Sequence, residues 1–419
     1  MKYYKINGGY YLSGDVYVSG SKNSALPVIC ASLIFKKKVC LYNIPNIKDV
    51  TVLLDILRNN GVYISFDNDC LIIDSSSIKS NIIKDCLCSK LRASYYLLGS
   101  LVNLFDCVEI AKQGGCNFGD RPIDIHKSVF EQLGYEFIEY EYGYKVAKIN
   151  QTKRVIKFNK VSMGATINGI LASLKENVMI RLKNVSFEPE IDDLIEFLNE
   201  VGYRIKRVGK DIVVYSTRNI VEDISYKIMF DRIEAGSYAI LSSLVGSNVT
   251  IHNFVASHNV SLLNVLDKMN VKYKCTDNSI SIYKSNDIKS INIDVDVYPK
   301  FPTDLIQMLS ILMINTDDIS YFKDNIYHNR YSQLLELIDH GVVIDVSDNN
   351  VAVYGNKTFN NGVFYGKDLR GTMALIMYAL NSGGESRVYG IEYLERGYCN
   401  VFDKLLSLGA CIEECYDEE

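Results

Sequence analysis

Tryptophan is absent from this 419-residue chain, and several signatures that would point to a class of function are missing with it. No apolar run approaches the length needed to span a bilayer, and the opening Met1-Lys2-Tyr3-Tyr4-Lys5-Ile6-Asn7-Gly8-Gly9 lacks the apolar core of a secretory signal. A cytoplasmic protein without membrane association is the expectation. The net charge is only −5, so nothing general draws the chain toward nucleic acid, and any site for a polyanion has to be local. Eleven cysteines is an odd number and no Cys-x-x-Cys spacing repeats, which argues against both a disulfide framework and a zinc ribbon. Cys86 and Cys88 stand too close for a usual bridge or metal pair. Cys411 and Cys415 would share one face of a helix, but no histidine pair accompanies them. His126, His252, His258, His328 and His340 show no pairing that suggests a metal or a nucleophile relay. No metal and no cofactor is expected. The missing tryptophan, beside abundant Tyr, Asn, Lys and Ile, reads as a coding bias and carries no function.

What the chain does have is a period. Apolar residues make up 48% of it, enough to bury large cores in two domains. Six times an amphipathic helix ends on a glycine-like stop before a strand: Asn60-Gly61-Val62, Leu133-Gly134-Tyr135, Val201-Gly202-Tyr203, Met269-Asn270-Val271, His340-Gly341-Val342 and Leu408-Gly409-Ala410. Asn270 replaces glycine once, and asparagine is the other residue that tolerates a left-handed cap. The spacing is roughly 70 residues, too long for a solenoid and suited to a small α/β subdomain. Each unit also holds an apolar helix rich in small residues: Ser24–Phe35, Leu91–Val102, Gly164–Lys175, Arg232–Leu244, Phe301–Met313 and Asp368–Leu380. Helices apolar all round are buried, so these six are expected in domain centres, with the amphipathic helices and short strands outside. Six units divide into two halves of three.

Because the units share one geometry, polar residues at the starts of equivalent helices are expected to converge. They are Lys22 and Asn23, Arg92, Ser162, Asp231 with Arg232 and Glu234, Asp304, then Asp368 and Arg370. Helix capping accounts for Ser162, Asp304 and Asp368. It does not account for Lys22, Arg92, Arg232 or Arg370, since a cation there opposes the helix dipole. Basic residues at helix starts make sense opposite an anionic ligand. Asp231 and Glu234 are expected as structural partners of Arg232 or as contacts between domains, and His126 as a packing or hydrogen-bonding residue.

One loop carries a nucleophile. Gly114-Gly115-Cys116-Asn117-Phe118-Gly119-Asp120-Arg121-Pro122 places a thiol among glycines, close to an arginine that favours its thiolate. The alternative for Cys116 by itself is a small buried hydrophobe, the commoner fate of a free cysteine.

With these residues in hand, the chain resembles the UDP-N-acetylglucosamine 1-carboxyvinyltransferase family of enolpyruvyl transferases. The likeness runs nearly end to end. It includes Val18-Ser19-Gly20-Ser21-Lys22-Asn23-Ser24-Ala25-Leu26-Pro27, the Gly-Gly-Cys loop and Lys160-Val161-Ser162-Met163-Gly164-Ala165-Thr166. It continues through Asp231-Arg232-Ile233-Glu234-Ala235-Gly236, Phe301-Pro302-Thr303-Asp304, Asn329-Arg330, Asp368-Leu369-Arg370 and Glu395-Arg396-Gly397-Tyr398. The resemblance implies an α/β fold of two inside-out barrels, six βαβ-containing repeats with three per domain. The first domain would span 22–230 and carry the cysteine loop. The second would combine 1–21 with 231–419, and the active site would lie in the interdomain cleft.

The resemblance further implies transfer of the enolpyruvyl group of phosphoenolpyruvate to the 3′-hydroxyl of UDP-N-acetylglucosamine, with release of phosphate, as the first committed step of peptidoglycan precursor synthesis. Lys22, Arg121 and Arg396 match the phosphoenolpyruvate clamp, with Arg92 and Arg370 nearby. Cys116 matches the family's reactive cysteine, an acid or adduct former. Asp304 matches the carboxylate at the sugar hydroxyl. Asn23 would orient the sugar, and Arg330 belongs to the same substrate-binding set. Arg121, Pro122, Asp124, Lys160, Ser162 and Gly164 resemble the uridine-diphosphate cradle. A monomer or weak oligomer is expected. The chain departs from the family at Gln113, Asp120, Phe187 and Cys399. Two alternatives stand beside this reading: a non-catalytic sugar-nucleotide-binding homologue, and an enolpyruvyl transferase with another acceptor such as shikimate 3-phosphate. Cys116 argues against the shikimate enzyme, which lacks that loop.

Overall fold

The six small-residue helices are the centre of the fold, and their glycines show why. A Cβ on Gly99 would stand 2.7 Å from Asn168 Oδ1, and one on Gly236 would stand 2.6 Å from Leu305 Cδ1. Only glycine lets the neighbouring helix approach so closely. The computed structural model describes residues 1–84, 86–112, 123–176, 178–215, 219–327, 329–347 and 349–417. These residues form two compact units, one of Gly20–Met229 and the other of Met1–Ser19 with Phe230–Glu419.

In the Gly20–Met229 unit the buried helices are Lys22–Ser32, Tyr96–Leu101 with the preceding 3₁₀ turn Arg92–Tyr95, and Met163–Ser173. In the other unit they are Arg232–Val245, Thr303–Ile314 and Leu369–Asn381. All fourteen residues of Arg232–Val245 are buried. Amphipathic helices such as Lys48–Asn59 and Pro189–Val201 bury one face and leave the other wet. This is the inside-out arrangement expected from the sequence.

Six four-stranded sheets, three in each unit, lie over these helices, and every sheet repeats one pattern of a parallel pair followed by two antiparallel neighbours. Ile224–Lys227 pairs in parallel with Lys38–Tyr42, which pairs antiparallel with Cys70–Asp74, and Tyr63–Asp67 closes the sheet. The amino-terminal strands enter two sheets of the second unit. Lys2–Gly8 sits between Gly384–Tyr389 and Cys411–Tyr416, and Leu12–Tyr17 pairs in parallel with Gly246–His252. The six expected stops are all left-handed, from Asn270 at φ 60° to Gly202 at φ 114°.

Two expectations need correcting. Cys411 and Cys415 lie on the strand Cys411–Tyr416, not on a helix, because the segment completes a sheet beside Lys2–Gly8. Asp304 is not a cap: Pro302 occupies that position, with no side-chain cap bond, and Asp304 is the second residue of the helix. Among the described residues no helix is long and apolar enough to cross a membrane.

Candidate functional site

In the Gly20–Met229 unit, Lys22 is the first residue of its helix and its Nζ lies 3.4 Å from Asp49 Oδ2. The anion expected opposite this cation is therefore supplied in part by the chain itself. Asn23 follows, half-buried. Arg92 opens the 3₁₀ turn with its guanidinium 5.7 Å from the centre of the Tyr95 ring. Tyr95 in turn stacks on His126, with ring centres 5.3 Å apart. His126 accepts a hydrogen bond at Nδ1 from the Asn168 side-chain amide at 3.0 Å, which leaves its proton on Nε2. A Cβ on Gly164 would meet that ring at 3.2 Å, so His126 packs directly beneath the start of the Met163–Ser173 helix. Burial, and then the charge of Arg92, lower the His126 pKa to about 3. The imidazole is thus neutral and serves as a packed hydrogen-bonding residue, as expected.

Ser162 caps that helix by accepting from Ala165 N at 3.3 Å. Lys160 lies exposed two residues earlier, and Asp124, also exposed, opens the Asp124–Gln132 helix that carries His126. Arg92, Asp124, Ser162 and Gly164 therefore lie close to one histidine, although they come from two different repeats. Cys116, Arg121 and Pro122 lie outside the described residues, as do Gln113, Asp120 and His328.

In the other unit Asp304 is held by Arg330, whose Nη2 donates to Oδ1 at 2.5 Å. Arg330 is 5% exposed and also donates to Thr303 Oγ1 at 3.0 Å and to Gln307 Oε1 at 3.3 Å. Gln307 extends the network by donating to Asp368 Oδ2 at 3.2 Å. Asp368 caps the Leu369–Asn381 helix through the amides of Arg370 and Gly371, at 3.0 and 2.9 Å. Arg370 stands over the Tyr398 ring, 4.9 Å from its centre. Burial opposes the charge of Arg370, but the phenol of Tyr398 and the carboxylates of Asp304 and Asp231 outweigh it and raise its pKa. Its Nη1 is fully buried and has no hydrogen-bond partner among the described residues. A buried guanidinium with an unused donor suits an incoming carboxylate or phosphate. Arg396 ends the 3₁₀ turn Ile391–Arg396, two residues before Tyr398.

Two further predicted residues have structural duties. Asp231 caps Arg232–Val245 through the amides of Ile233 and Glu234, at 2.8 and 2.9 Å. Glu234 accepts Ser19 N at 2.8 Å and the ammonium of Lys404 at 2.5 Å. The sequence did not single out Asp49, Gln307, Asn168 or Lys404. Each works through a contact remote in sequence, and only Tyr398 carried a signal, as part of the Glu-Arg-Gly-Tyr motif. Phe187, one of the departures, lies under the Arg207 guanidinium at 5.1 Å. Among the described residues no group of three His, Cys, Asp or Glu side chains is placed to hold a metal ion.

Comparison with known proteins identifies the family and the fold. The family described as EPSP synthase (3-phosphoshikimate 1-carboxyvinyltransferase) matches residues 6–405. The UDP-N-acetylglucosamine 1-carboxyvinyltransferase of Campylobacter lari is 35% identical over 414 residues, covering 98% of this chain and 99% of that protein. The protein of the same name from Pelagibacter ubique is 34% identical over 414 residues, covering 99% of each. Among solved structures, the enolpyruvyl transferase NikO from Streptomyces tendae superimposes with a TM-score of 0.91 at 19% identity, covering 100% of this chain and 99% of NikO. EPSP synthase from Acinetobacter baumannii does so with a TM-score of 0.74 at 14% identity, covering 99% and 100%. At such identities the solved structures speak for the fold alone.

Proposed function

We propose that this chain, which belongs to the EPSP synthase family and within it groups with the UDP-N-acetylglucosamine 1-carboxyvinyltransferases, transfers the enolpyruvyl group of phosphoenolpyruvate to the 3′-hydroxyl of UDP-N-acetylglucosamine and releases phosphate. The observation that carries the acceptor is the full-length identity of about a third to proteins bearing that name. The reaction needs cations for a phosphate and a carboxylate, an acid for the methylene carbon and a base for the sugar hydroxyl. Addition forms a bond from the sugar oxygen to C2 and places a proton on C3. Elimination breaks the C2–O bond to phosphate and removes a proton from C3, so that phosphate leaves and the double bond re-forms as the enol ether of the sugar.

Lys22, Arg121 and Arg396 hold phosphoenolpyruvate, assisted by Arg92 and Arg370. The guanidinium fork binds a carboxylate or phosphate through two parallel hydrogen bonds, and the unused Nη1 of Arg370 supports that role. Cys116 protonates the methylene carbon or forms the covalent adduct. Asp304, aimed by Arg330, takes the sugar hydroxyl proton. Asn23 orients the sugar, and Arg121, Pro122, Asp124, Lys160, Ser162 and Gly164 cradle the uridine diphosphate. The residue set needs neither metal nor cofactor. The product feeds peptidoglycan precursor synthesis in the cytoplasm, and through it the cell wall, cell shape and division. The protein acts as a monomer or weak oligomer.

The test is phosphate release from phosphoenolpyruvate with UDP-N-acetylglucosamine and with shikimate 3-phosphate offered separately. Release that depends on the sugar nucleotide is the expected result. Release with shikimate 3-phosphate alone would reassign the acceptor. Tight sugar-nucleotide binding without release would make the chain a binding homologue.

A further inference from the structure

Lys22 stands on a helix whose start is badly provided for. Its N-cap, Ser21, makes no side-chain cap bond, and Ser21 Oγ is buried without a partner among the described residues. The first turn holds no acidic residue, and the first residue is itself a cation, which opposes the helix dipole. Something else must fix this turn.

A buried carboxylate on another helix reaches it. Asp193, on Pro189–Val201 and 8% exposed, accepts from Ser24 Oγ through Oδ2. The same oxygen accepts from Met229 N at 3.4 Å, and Oδ1 accepts from Tyr226 OH at 2.8 Å. Met229 O then receives Ser21 N at 2.9 Å. Ser21 and Ser24 flank Lys22, so both sides of the lysine are tied to one carboxylate, directly at Ser24 and through Met229 at Ser21. Asp193 supplies what the helix start lacks, a buried acceptor reaching its first turn, here through the Ser24 hydroxyl. Burying a carboxylate is unfavourable without such donors, and here three are present.

We propose that Asp193 is a positioning residue that sets where Lys22 presents its ammonium, by gripping the first turn of its helix directly through Ser24 and indirectly through the backbone of Met229. The proposal rests on the reading of Lys22 as part of the phosphoenolpyruvate clamp. Removing Asp193 would strand three buried donors and unfold the unit, so the hydroxyls it binds are the place to test it. Ser24→Ala removes the bond beside Lys22, whereas Tyr226→Phe removes a bond to the same carboxylate on its far side.

The experiment measures two things on the full chain. One is the KM for each substrate. The other is the rate at which an amine-acylating reagent modifies Lys22, followed by peptide mapping. Ser24→Ala should raise the KM for phosphoenolpyruvate about ten-fold or more, as expected for losing one hydrogen bond to a charged group, and should accelerate acylation of Lys22. The KM for the sugar nucleotide should hold, and Ser24→Thr should restore both values. Tyr226→Phe should change neither, although its melting temperature falls. Equal effects in Ser24→Ala and Tyr226→Phe, or an unchanged acylation rate in Ser24→Ala, would overturn the proposal. A Lys22→Ala variant separates the two ideas. If it leaves the phosphoenolpyruvate KM untouched while Ser24→Ala still alters acylation, the clamp reading fails and the positioning stands.

Discussion

Lys404 Nζ lies 2.5 Å from Glu234 Oε1, and that carboxylate is 2% exposed. The same ammonium donates to Ser19 Oγ at 2.7 Å, while the other oxygen of Glu234 accepts Ser19 N at 2.8 Å. Burial raises the Glu234 pKa and the charge of Lys404 works against that rise. Lys404→Met should therefore destabilise the protein by about 3–5 kcal/mol, the usual consequence of stranding one partner of a buried pair. Without Lys404 the carboxyl binds its proton still more tightly, so the deficit should shrink as pH falls. Adding Glu234→Gln, which keeps the acceptor for Ser19 N, should recover much of the loss. Denaturant melts of the single and double variants check all three statements.

His126 gives a second dependence on pH, of opposite sign. Its imidazole has a pKa of about 3 in the folded chain against an ordinary 6.5. The unfolded chain binds the proton first, so this contribution is complete above about pH 6.5 and declines as pH falls toward the folded value. The slope should reach about 1.4 kcal/mol per pH unit from this one group. His126→Gln should flatten the stability profile between about pH 5 and 6.5, before most carboxylates begin to titrate. An unchanged slope would show that the ring is not held neutral.

Asp304 and Arg330 divide aim from chemistry. Asp304→Asn keeps an acceptor for Arg330 but gives up the base, so turnover should fall on the order of 10²–10⁴-fold with both KM values little changed. Arg330→Lys cannot serve Thr303, Asp304 and Gln307 together, since an ammonium lacks the fixed fork. It should lower stability as well as turnover. Initial rates and melting curves on the two variants separate these outcomes.

Arg370 is the residue at which charge and shape can be told apart. Arg370→Lys preserves the cation over Tyr398 but removes the donor that Nη1 holds in reserve. The expected result is a folded protein whose kcat/KM for phosphoenolpyruvate drops by about tenfold or more, while sugar-nucleotide affinity measured by calorimetry stays near its original value.

Local rules carried much of the architecture. The six stops, the six small-residue helices and the caps at Ser162 and Asp368 were readable because each depends on residues within one turn, whereas the cap at Asp231 was expected instead as a partner of Arg232. Asp304 misled for the same reason. An aspartate near a helix start looks like a cap, and nothing local reveals that proline holds that place or that Arg330 waits 26 residues away. The Lys22–Asp49 pair spans 27 residues, and Lys404 reaches Ser19 across 385. No period or spacing encodes such partners.

What the sequence determined alone was therefore the repeat, its helix ends and the types of side chain gathered at the helix starts, because turn geometry and hydrophobic period act over a few residues. Tertiary structure decided which cation meets which carboxylate, which histidine stays neutral and which guanidinium keeps a donor unused. Those outcomes depend on burial and on distances of a few ångströms between segments far apart in the chain, and both exist only once the helices have packed.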